Sequence, residues 1–266
     1  MEIEIPIQNI LLKASLEIPS EAYGLIIFAH GTGSGRMSVR NVFVAEELNK
    51  GNLATLLFDL LTEDEEKELE NRFNIDLLTE RLIAVTKWCM ENEKTNGFKI
   101  GYFGASTGSA AALSAAAFWG TKIGAVVSRG GRPDLAMDEL DLIEAPVLLI
   151  VGSGDKKVIE LNRKAYVKIG CAKKVEIMAG ATHLFEEEGA LEKVAELAEN
   201  WFKRFLLDEN VKERVAPISQ ENRTKEIAEE SSPEIANERN TIKTTGKGNN
   251  FTAELRNKTT KKKKPN

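Results

Sequence analysis

The feature that most constrains this chain is a regular alternation, through residues 1–207, of short apolar runs with segments of helical spacing. Runs such as 24–31 and 53–60 are apolar throughout, which is typical of strands buried on both faces. Segments such as 39–50 and 75–91 place their apolar residues on one helical face. Further strands are predicted at 99–106, 123–131, 146–155 and 173–180, and further helices at 108–118, 158–169 and 186–207. This alternation predicts an α/β fold, a mostly parallel sheet with helices on both faces.

The two ends of the chain differ from this pattern. Residues 2–18 alternate with period two around Pro6 and predict two antiparallel strands. Residues 208–266 are rich in Asn, Thr, Lys, Glu and Ser, and such a composition cannot bury enough surface to offset its chain entropy. We therefore predict one folded catalytic domain over 1–207 and a disordered charged tail over 208–266.

The composition indicates the cellular location and excludes some classes of partner. The net charge of −5 disfavours a nucleic-acid binder, and we interpret the basic run 261–264 as a solubilising end without specific nucleic-acid binding. Two isolated cysteines, Cys89 and Cys171, make no disulfide scaffold, and with only two histidines the chain has no ligand-spaced metal cluster. The N-terminus has no signal-peptide pattern, and no apolar run is long enough for a membrane span. We expect a cytoplasmic protein without a metal, cofactor or membrane partner.

A serine between glycines, in the motif GASTG at 104–108, follows one apolar run and precedes a helix of small residues. The flanking glycines let the chain turn sharply, so that the hydroxyl of Ser106 stands at the end of the strand. This context predicts a catalytic nucleophile. The alternative is an ordinary serine that caps the following helix.

A serine hydroxyl needs a base, and the chain offers two histidines. His183 follows the last predicted strand, where the base of such a motif is expected, whereas His30 ends an early strand. We therefore predict that His183 is the base. A surface or structural role is the alternative for a single histidine.

The acid that orients the histidine is expected after a late strand, between the serine and the histidine. Asp155 ends the run PVLLIVGSGD and meets this condition, although it can also be a turn residue after two glycines. Weaker candidates are Asp59, Asp134, Asp138 and Asp141.

Acyl transfer also needs N–H donors for the developing oxyanion. We predict the backbone N–H of Thr107, directly after the nucleophile, and that of Thr32 in the loop HGTGSGR, with Gly33 as the second choice. This glycine-rich loop can also suit a phosphate, but it matches neither G-x-x-x-x-G-K-[ST] nor G-x-G-x-x-G.

Two arginines in the segment SRGGRPD follow another predicted strand. Arg129 and Arg132 can hold a substrate carboxylate or phosphate in bidentate fashion at the rim of the site. The alternative, which we favour slightly, is a salt bridge to a nearby acid such as Asp134 or Glu139.

The chain resembles the dienelactone-hydrolase-like branch of the α/β-hydrolases over about residues 24–207, in the stretches LIIFAHGTGSGR, LATLLFDLLT, IGYFGASTGSAAAL, AVVSRGGRPDLA, VLLIVGSGD and GATHLFEEEGALE. The resemblance implies an α/β-hydrolase fold, a Ser106–Asp155–His183 triad at the carboxyl edge of the sheet, and no cofactor. Dienelactone hydrolase proper uses a cysteine, so the serine here favours a plain ester or thioester hydrolase. The short stretch 131–146 leaves no room for a large lid domain.

The sequence thus predicts a serine hydrolase that cleaves an ester or related acyl bond of a small molecule through an acyl-enzyme. One alternative is a non-catalytic binding protein of the same fold for an anionic small molecule. Another is an interaction protein that its basic tail tethers to nucleic acid or an anionic surface.

Overall fold

The computed structural model describes residues 1–207, which form one eight-stranded sheet with helices on both faces. The strands are β1 (Glu2–Ile7), β2 (Ile10–Glu17), β3 (Gly24–Ala29), β4 (Ala54–Phe58), β5 (Lys99–Ala105), β6 (Ile123–Arg129), β7 (Val147–Gly152) and β8 (Lys173–Met178). The helices are α1 (Val39–Lys50), α2 (Leu69–Phe73), α3 (Ile75–Glu91), α4 (Thr107–Trp119), α5 (Lys156–Lys168) and α6 (Ala190–Leu206). Short 3₁₀ turns lie at Glu65–Lys67, Gly120–Lys122, Pro133–Ala136 and Leu140–Leu142.

The strand order is β1-β2-β4-β3-β5-β6-β7-β8. Strands β3 to β8 are parallel, while β2 pairs antiparallel with both β1 and β4. The chain runs from β3 to β4 on one side and then crosses to β5 on the other side of β3. The loops after β3 and β5 therefore diverge, which opens a crevice at the carboxyl edge, the usual place for a ligand in such sheets.

The sheet is buried between two apolar layers. Helices α3, α4 and α5 pack on one face and α1 and α6 on the other. Strands β3, β4 and β7 are buried at every position, as expected of parallel strands covered on both faces. Helix α4 consists largely of alanine, which lets it approach the sheet closely. The predicted layered architecture is confirmed.

Two helix starts differ from the prediction. Helix α6 begins at Ala190 rather than at 186, and α5 begins at Lys156, directly after its N-cap Asp155. The predicted tail lies outside the described residues. None of the helices in 1–207 combines the length and apolar composition that crossing a membrane requires.

Candidate active site

The predicted catalytic residues all follow strands at the carboxyl edge of the sheet. Ser106 follows β5, Asp155 follows β7, and His183 follows β8 by five residues. Thr32 lies in the loop after β3, the neighbour of β5. Because parallel strands end at the same edge, residues from distant parts of the sequence meet there.

Ser106 adopts a backbone conformation that side chains rarely take, with φ 51° and ψ −121°. Such a conformation costs about 1–3 kcal/mol and persists only where the surroundings impose it. Here the Ser106 N–H donates to the Arg129 carbonyl at 3.2 Å, and its own carbonyl accepts from the N–H groups of Ser109 and Arg132 at 3.1 Å each. These three hydrogen bonds hold the strained turn between β5 and α4.

The loop after β3 lies directly against this serine. A Cβ built at Gly31 would lie 3.0 Å from the Cβ and 3.7 Å from the Oγ of Ser106. A side chain at position 31 would therefore crowd the hydroxyl. Glycine at this position keeps space in front of Ser106.

His183 and Asp155 form a direct pair. The Nδ1 of His183 lies 2.7 Å from Oδ2 of Asp155. The other oxygen, Oδ1, accepts the Val158 N–H at 3.3 Å and so caps α5. The carboxylate is thereby fixed by the helix it caps. It favours the tautomer with a proton on Nδ1, which leaves the Nε2 lone pair of His183 free to accept a proton.

Gly130 connects the two halves of this arrangement. It directly follows Arg129, whose carbonyl holds Ser106, and a Cβ built on Gly130 would lie 3.6 Å from Cε1 of His183. The same Cβ would lie 3.3 Å from the Phe185 ring. Gly130 therefore lies beside the imidazole and directly after the residue whose carbonyl holds the strained serine. The sequence analysis missed this role, although the Gly-Gly pair at 130–131 signals a close approach of backbone.

The other histidine, His30, is held by hydrogen bonds to the backbone. The Leu60 N–H donates to Nε2 of His30 at 3.0 Å, so the ring proton is on Nδ1, 3.1 Å from the Gly31 carbonyl. Burial lowers the pKa of His30 and outweighs the Gly31 carbonyl and the nearby acids Asp59 and Glu66, which act in the opposite direction. A neutral, doubly engaged ring has no free nitrogen for catalysis.

The weaker acid candidates have other contacts. Asp59 accepts the Arg36 N–H at 2.8 Å, and Asp134 forms a two-point ion pair with Arg132. Asp138 and Asp141 lie 4.0 and 3.9 Å from the Lys168 ammonium. Of the five aspartates considered, Asp155 is the one that the structure places against His183.

The two threonines predicted as oxyanion donors contact each other. The Thr32 N–H donates to Oγ1 of Thr107 at 2.9 Å, and the Thr32 hydroxyl donates to the Arg72 carbonyl at 2.9 Å. The two hydroxyl oxygens lie 2.9 Å apart. Because the Thr32 proton is used at Arg72, Thr107 must be the donor between them. The Thr32 amide is thus occupied, whereas the Thr107 N–H is a first-turn donor of α4 without a partner in the helix.

Comparison with known proteins gives the family. A profile of the dienelactone hydrolase family matches residues 45–207. The chain belongs to the dienelactone hydrolase family. A dienelactone hydrolase from Anabaena variabilis is 48% identical, with a TM-score of 0.76 over 77% of this chain and 97% of that one. The α/β-hydrolase fold without a large lid domain is thereby confirmed, and the family supports a hydrolase activity.

Two further relatives extend the comparison. Est1E from Butyrivibrio proteoclasticus shares the fold at 19% identity, with a TM-score of 0.67 over 78% of this chain and 99% of that one. A Mycobacterium tuberculosis protein with the provisional name of a phosphoribosyl transferase is 50% identical over 201 residues. That match covers 76% of this chain but 45% of the relative, so this family member spans about half the length of the curated proteins it matches.

The two arginines of the segment SRGGRPD have different surroundings. Arg132 donates through Nε and Nη2 to both oxygens of Asp134, each at 2.8 Å, which is the salt bridge that the sequence analysis favoured. Arg129 is 7% exposed and has no carboxylate partner within residues 1–207. The structure therefore separates two residues that the sequence treats alike.

A cleft of about 630 Å³ opens beside the β3 loop and is lined by His30, Gly33 and several acidic residues, among them Asp59, Glu63, Asp64 and Glu66. None of the three predicted catalytic residues lines it. Within residues 1–207, no group of three or more His, Cys, Asp or Glu side chains is arranged to hold a metal ion.

Proposed function

We propose that this family member is a serine hydrolase that cleaves an ester or related acyl bond of a small molecule. Ser106 is the nucleophile, His183 the base and Asp155 the acid that orients it. The observation that carries the proposal is the 2.7 Å contact between His183 Nδ1 and Asp155 Oδ2, on a ring beside Gly130, which directly follows the residue that holds Ser106. This pairing prepares His183 Nε2 to accept a proton.

The reaction proceeds in two steps. Ser106 Oγ attacks the carbonyl carbon while His183 Nε2 takes the hydroxyl proton and passes it to the leaving alcohol, which departs as the acyl-enzyme forms. Water then attacks the acyl carbon, His183 accepts a proton from the water, and that proton returns to Ser106 as the acid is released. Asp155 stabilises the imidazolium in both steps and keeps its own charge.

The Thr107 N–H is the first oxyanion donor in this proposal. The Thr32 N–H becomes the second when the Thr107 hydroxyl rotates away from it, since that hydroxyl occupies it in this structure. Gly33 is the neighbouring alternative. A removed donor of this kind typically costs 10²–10³-fold in turnover.

The relatives support ester chemistry more than phosphoribosyl transfer. The structural relatives include a dienelactone hydrolase and esterases. The phosphoribosyl transferase name belongs to proteins of which this chain covers 45%. The serine at position 106 distinguishes this chain from enzymes with a cysteine nucleophile.

A fluorophosphonate probe, read by intact mass, tests the nucleophile. We expect one adduct on the wild-type chain and none on Ser106→Ala, with turnover of 4-nitrophenyl acetate reduced at least about 10⁴-fold in that variant. Ser114→Ala, which removes a serine of the same helix away from the turn, is the matched control and keeps the adduct. A folded wild type without an adduct would favour the non-catalytic binding protein.

A further inference from the structure

Arg129 carries a buried charge without a counter-ion. Its Nη2 donates to Oδ1 of Asn41 at 3.3 Å, while Nε and Nη1 are buried and find no acceptor in residues 1–207. Burial, and after it the like charge of Arg40, lowers the pKa of Arg129 to about 10. The guanidinium therefore stays protonated at neutral pH. A buried charge that is not paired is costly to the fold, which points to an anion that binds here.

The guanidinium lies at the first turn of α1. Arg40 and Asn41 are the second and third residues of this twelve-residue helix, whose first N–H groups have no partner within the helix. The N-cap Ser38 makes no side-chain hydrogen bond, and the first turn contains no acidic residue. The positive end of the helix is therefore not neutralised by its own sequence.

Arg40 is close enough for its charge to act on Arg129, and it is partly exposed to solvent. Its side chain is 30% exposed, its Nη1 pairs with Glu186 at 2.8 Å, and its buried Nε has no acceptor. Glu186 is 60% exposed, so water screens its attraction to Arg40. An anion from solvent can displace this carboxylate and reach Arg129.

We propose that Arg129 and Arg40, at the first turn of α1, bind a phosphate group. The two guanidinium groups and the helix end together present about two and a half positive charges. A phosphate monoester carries about −1.5 to −2 at neutral pH and offers three acceptor oxygens, against one charge and two oxygens for a carboxylate. Three side-chain nitrogen atoms lack an acceptor within residues 1–207, namely Arg129 Nε, Arg129 Nη1 and Arg40 Nε, and the hydrogens that they carry match the larger anion.

This phosphate site adjoins the proposed catalytic residues. The Arg129 carbonyl accepts the Ser106 N–H, and the Arg129 guanidinium carbon lies 5.9 Å from the centre of the Phe185 ring, two residues after His183. Glu186 belongs to the same loop. If the proposed hydrolase function holds, the inference extends to its substrate, which is an ester of a phosphorylated small molecule.

Binding is tested without catalysis, by titration calorimetry of full-length Ser106→Ala with inorganic phosphate and with acetate at constant ionic strength. We expect phosphate to bind at least tenfold more tightly than acetate. Adding Arg129→Gln or Arg40→Gln should weaken phosphate binding at least tenfold, whereas Arg163→Gln, an exposed arginine on α5, should not. Arg40 is partly exposed, so its replacement keeps the test valid if Arg129→Gln does not fold. Phosphate binding no tighter than that of acetate, or unchanged in both variants, would overturn the site.

The substrate is tested with a matched pair of esters, 1-acetylglycerol and 1-acetylglycerol 3-phosphate. Wild type should prefer the phosphorylated ester at least tenfold in kcat/KM, and Arg129→Gln should abolish the preference. Equal kcat/KM for both esters would overturn the substrate assignment. Hydrolysis of neither ester, together with no fluorophosphonate adduct, by a protein that binds phosphate would refute the hydrolase function and leave the phosphate site in place.

Discussion

Replacing Gly108 with alanine tests how tightly the turn around Ser106 is packed. Gly108 is the second residue of α4, where the helix start crosses the end of β3. A Cβ built there would lie 2.2 Å from the Ala29 carbonyl oxygen and 2.4 Å from that of His30. Ordinary carbon–oxygen contacts are about 3.3–3.6 Å, so backbone segments must separate by about 1 Å. No flexible side chain can yield instead.

The sign of the change in stability distinguishes overpacking at Gly108 from the effect of helix propensity. Alanine is better than glycine within a helix by about 1 kcal/mol, which on its own predicts stabilisation. Overpacking against a rigid neighbour costs about 1–3 kcal/mol, and contact with two carbonyl groups of the backbone points to the upper end. We therefore expect a net loss of about 2 kcal/mol, or a fall in Tm of about 4–8 °C for a domain of this size.

Urea unfolding followed by circular dichroism measures this loss, with Gly97→Ala as the matched control. Gly97 lies in a turn with nothing within 4 Å of a Cβ, so its replacement should change the unfolding free energy by at most about 0.5 kcal/mol. A Gly108→Ala protein as stable as wild type, with an unchanged m value, would refute the packing argument. Turnover should fall as well, because the displaced helix start carries Ser106 with it.

Two further substitutions test the histidine environments. In Asp155→Asn the amide oxygen can still cap α5, so Tm should hardly change. The orientation of His183 is lost, however, and kcat for 4-nitrophenyl acetate should fall about 10⁴-fold. A fall of less than tenfold would contradict the assignment of Asp155. Burial lowers the pKa of His30 in the folded protein below its unfolded value of about 6.5. As pH falls below about 6.5, the unfolded chain therefore binds a proton that the folded chain does not, and the folded state loses stability that is fully present at higher pH. Between pH 7.5 and 5.5, urea unfolding should show wild type losing up to about 1.4 kcal/mol more than His30→Gln, and equal losses would show that His30 is not held neutral.

The parallel part of the fold was predictable because its strands are buried on both faces. A continuous apolar run such as 24–31 is typical of a strand that is buried on both faces of a sheet. The glycine or polar residue after each run marks the end of the strand, and so the carboxyl edge of the sheet. Ser106, Asp155 and His183 each follow a predicted strand, so their position at this edge was predictable for the same reason. Helix starts were less predictable. The three glutamates at 186–188 suit a helix, but Glu186 pairs with Arg40 and Glu187 accepts the Thr182 N–H before α6 begins.

Side-chain partners depend on rotamers and on contacts across the sheet, which sequence spacing does not contain. Thr32 was predicted from its place in a loop, yet its amide is occupied by the Thr107 hydroxyl. Arg129 and Arg132 lie only three residues apart in sequence. Strand alternation turns Arg129 toward α1, while Arg132, beyond the strand, pairs with Asp134. Nothing in the sequence indicates the proposed role of Arg40, which is simply the second residue of α1.

The charges on the two sides of the proposed catalytic residues differ in whether they are paired. On the side of β3 and β4, the cleft is lined by four acidic residues, Asp59, Glu63, Asp64 and Glu66, against one basic residue, Lys13. Arg129 ends β6, on the other side of β5, and its charge has no counter-ion among residues 1–207. Each of these four acids is paired with a basic side chain, whereas Arg129 is buried with no carboxylate partner in residues 1–207, so an anion is attracted chiefly to Arg129. If Arg129 and Arg40 bind a phosphate as proposed, we expect a phosphorylated ester to bind near Ser106 with its phosphate toward Arg129, because this buried charge lacks a partner in residues 1–207.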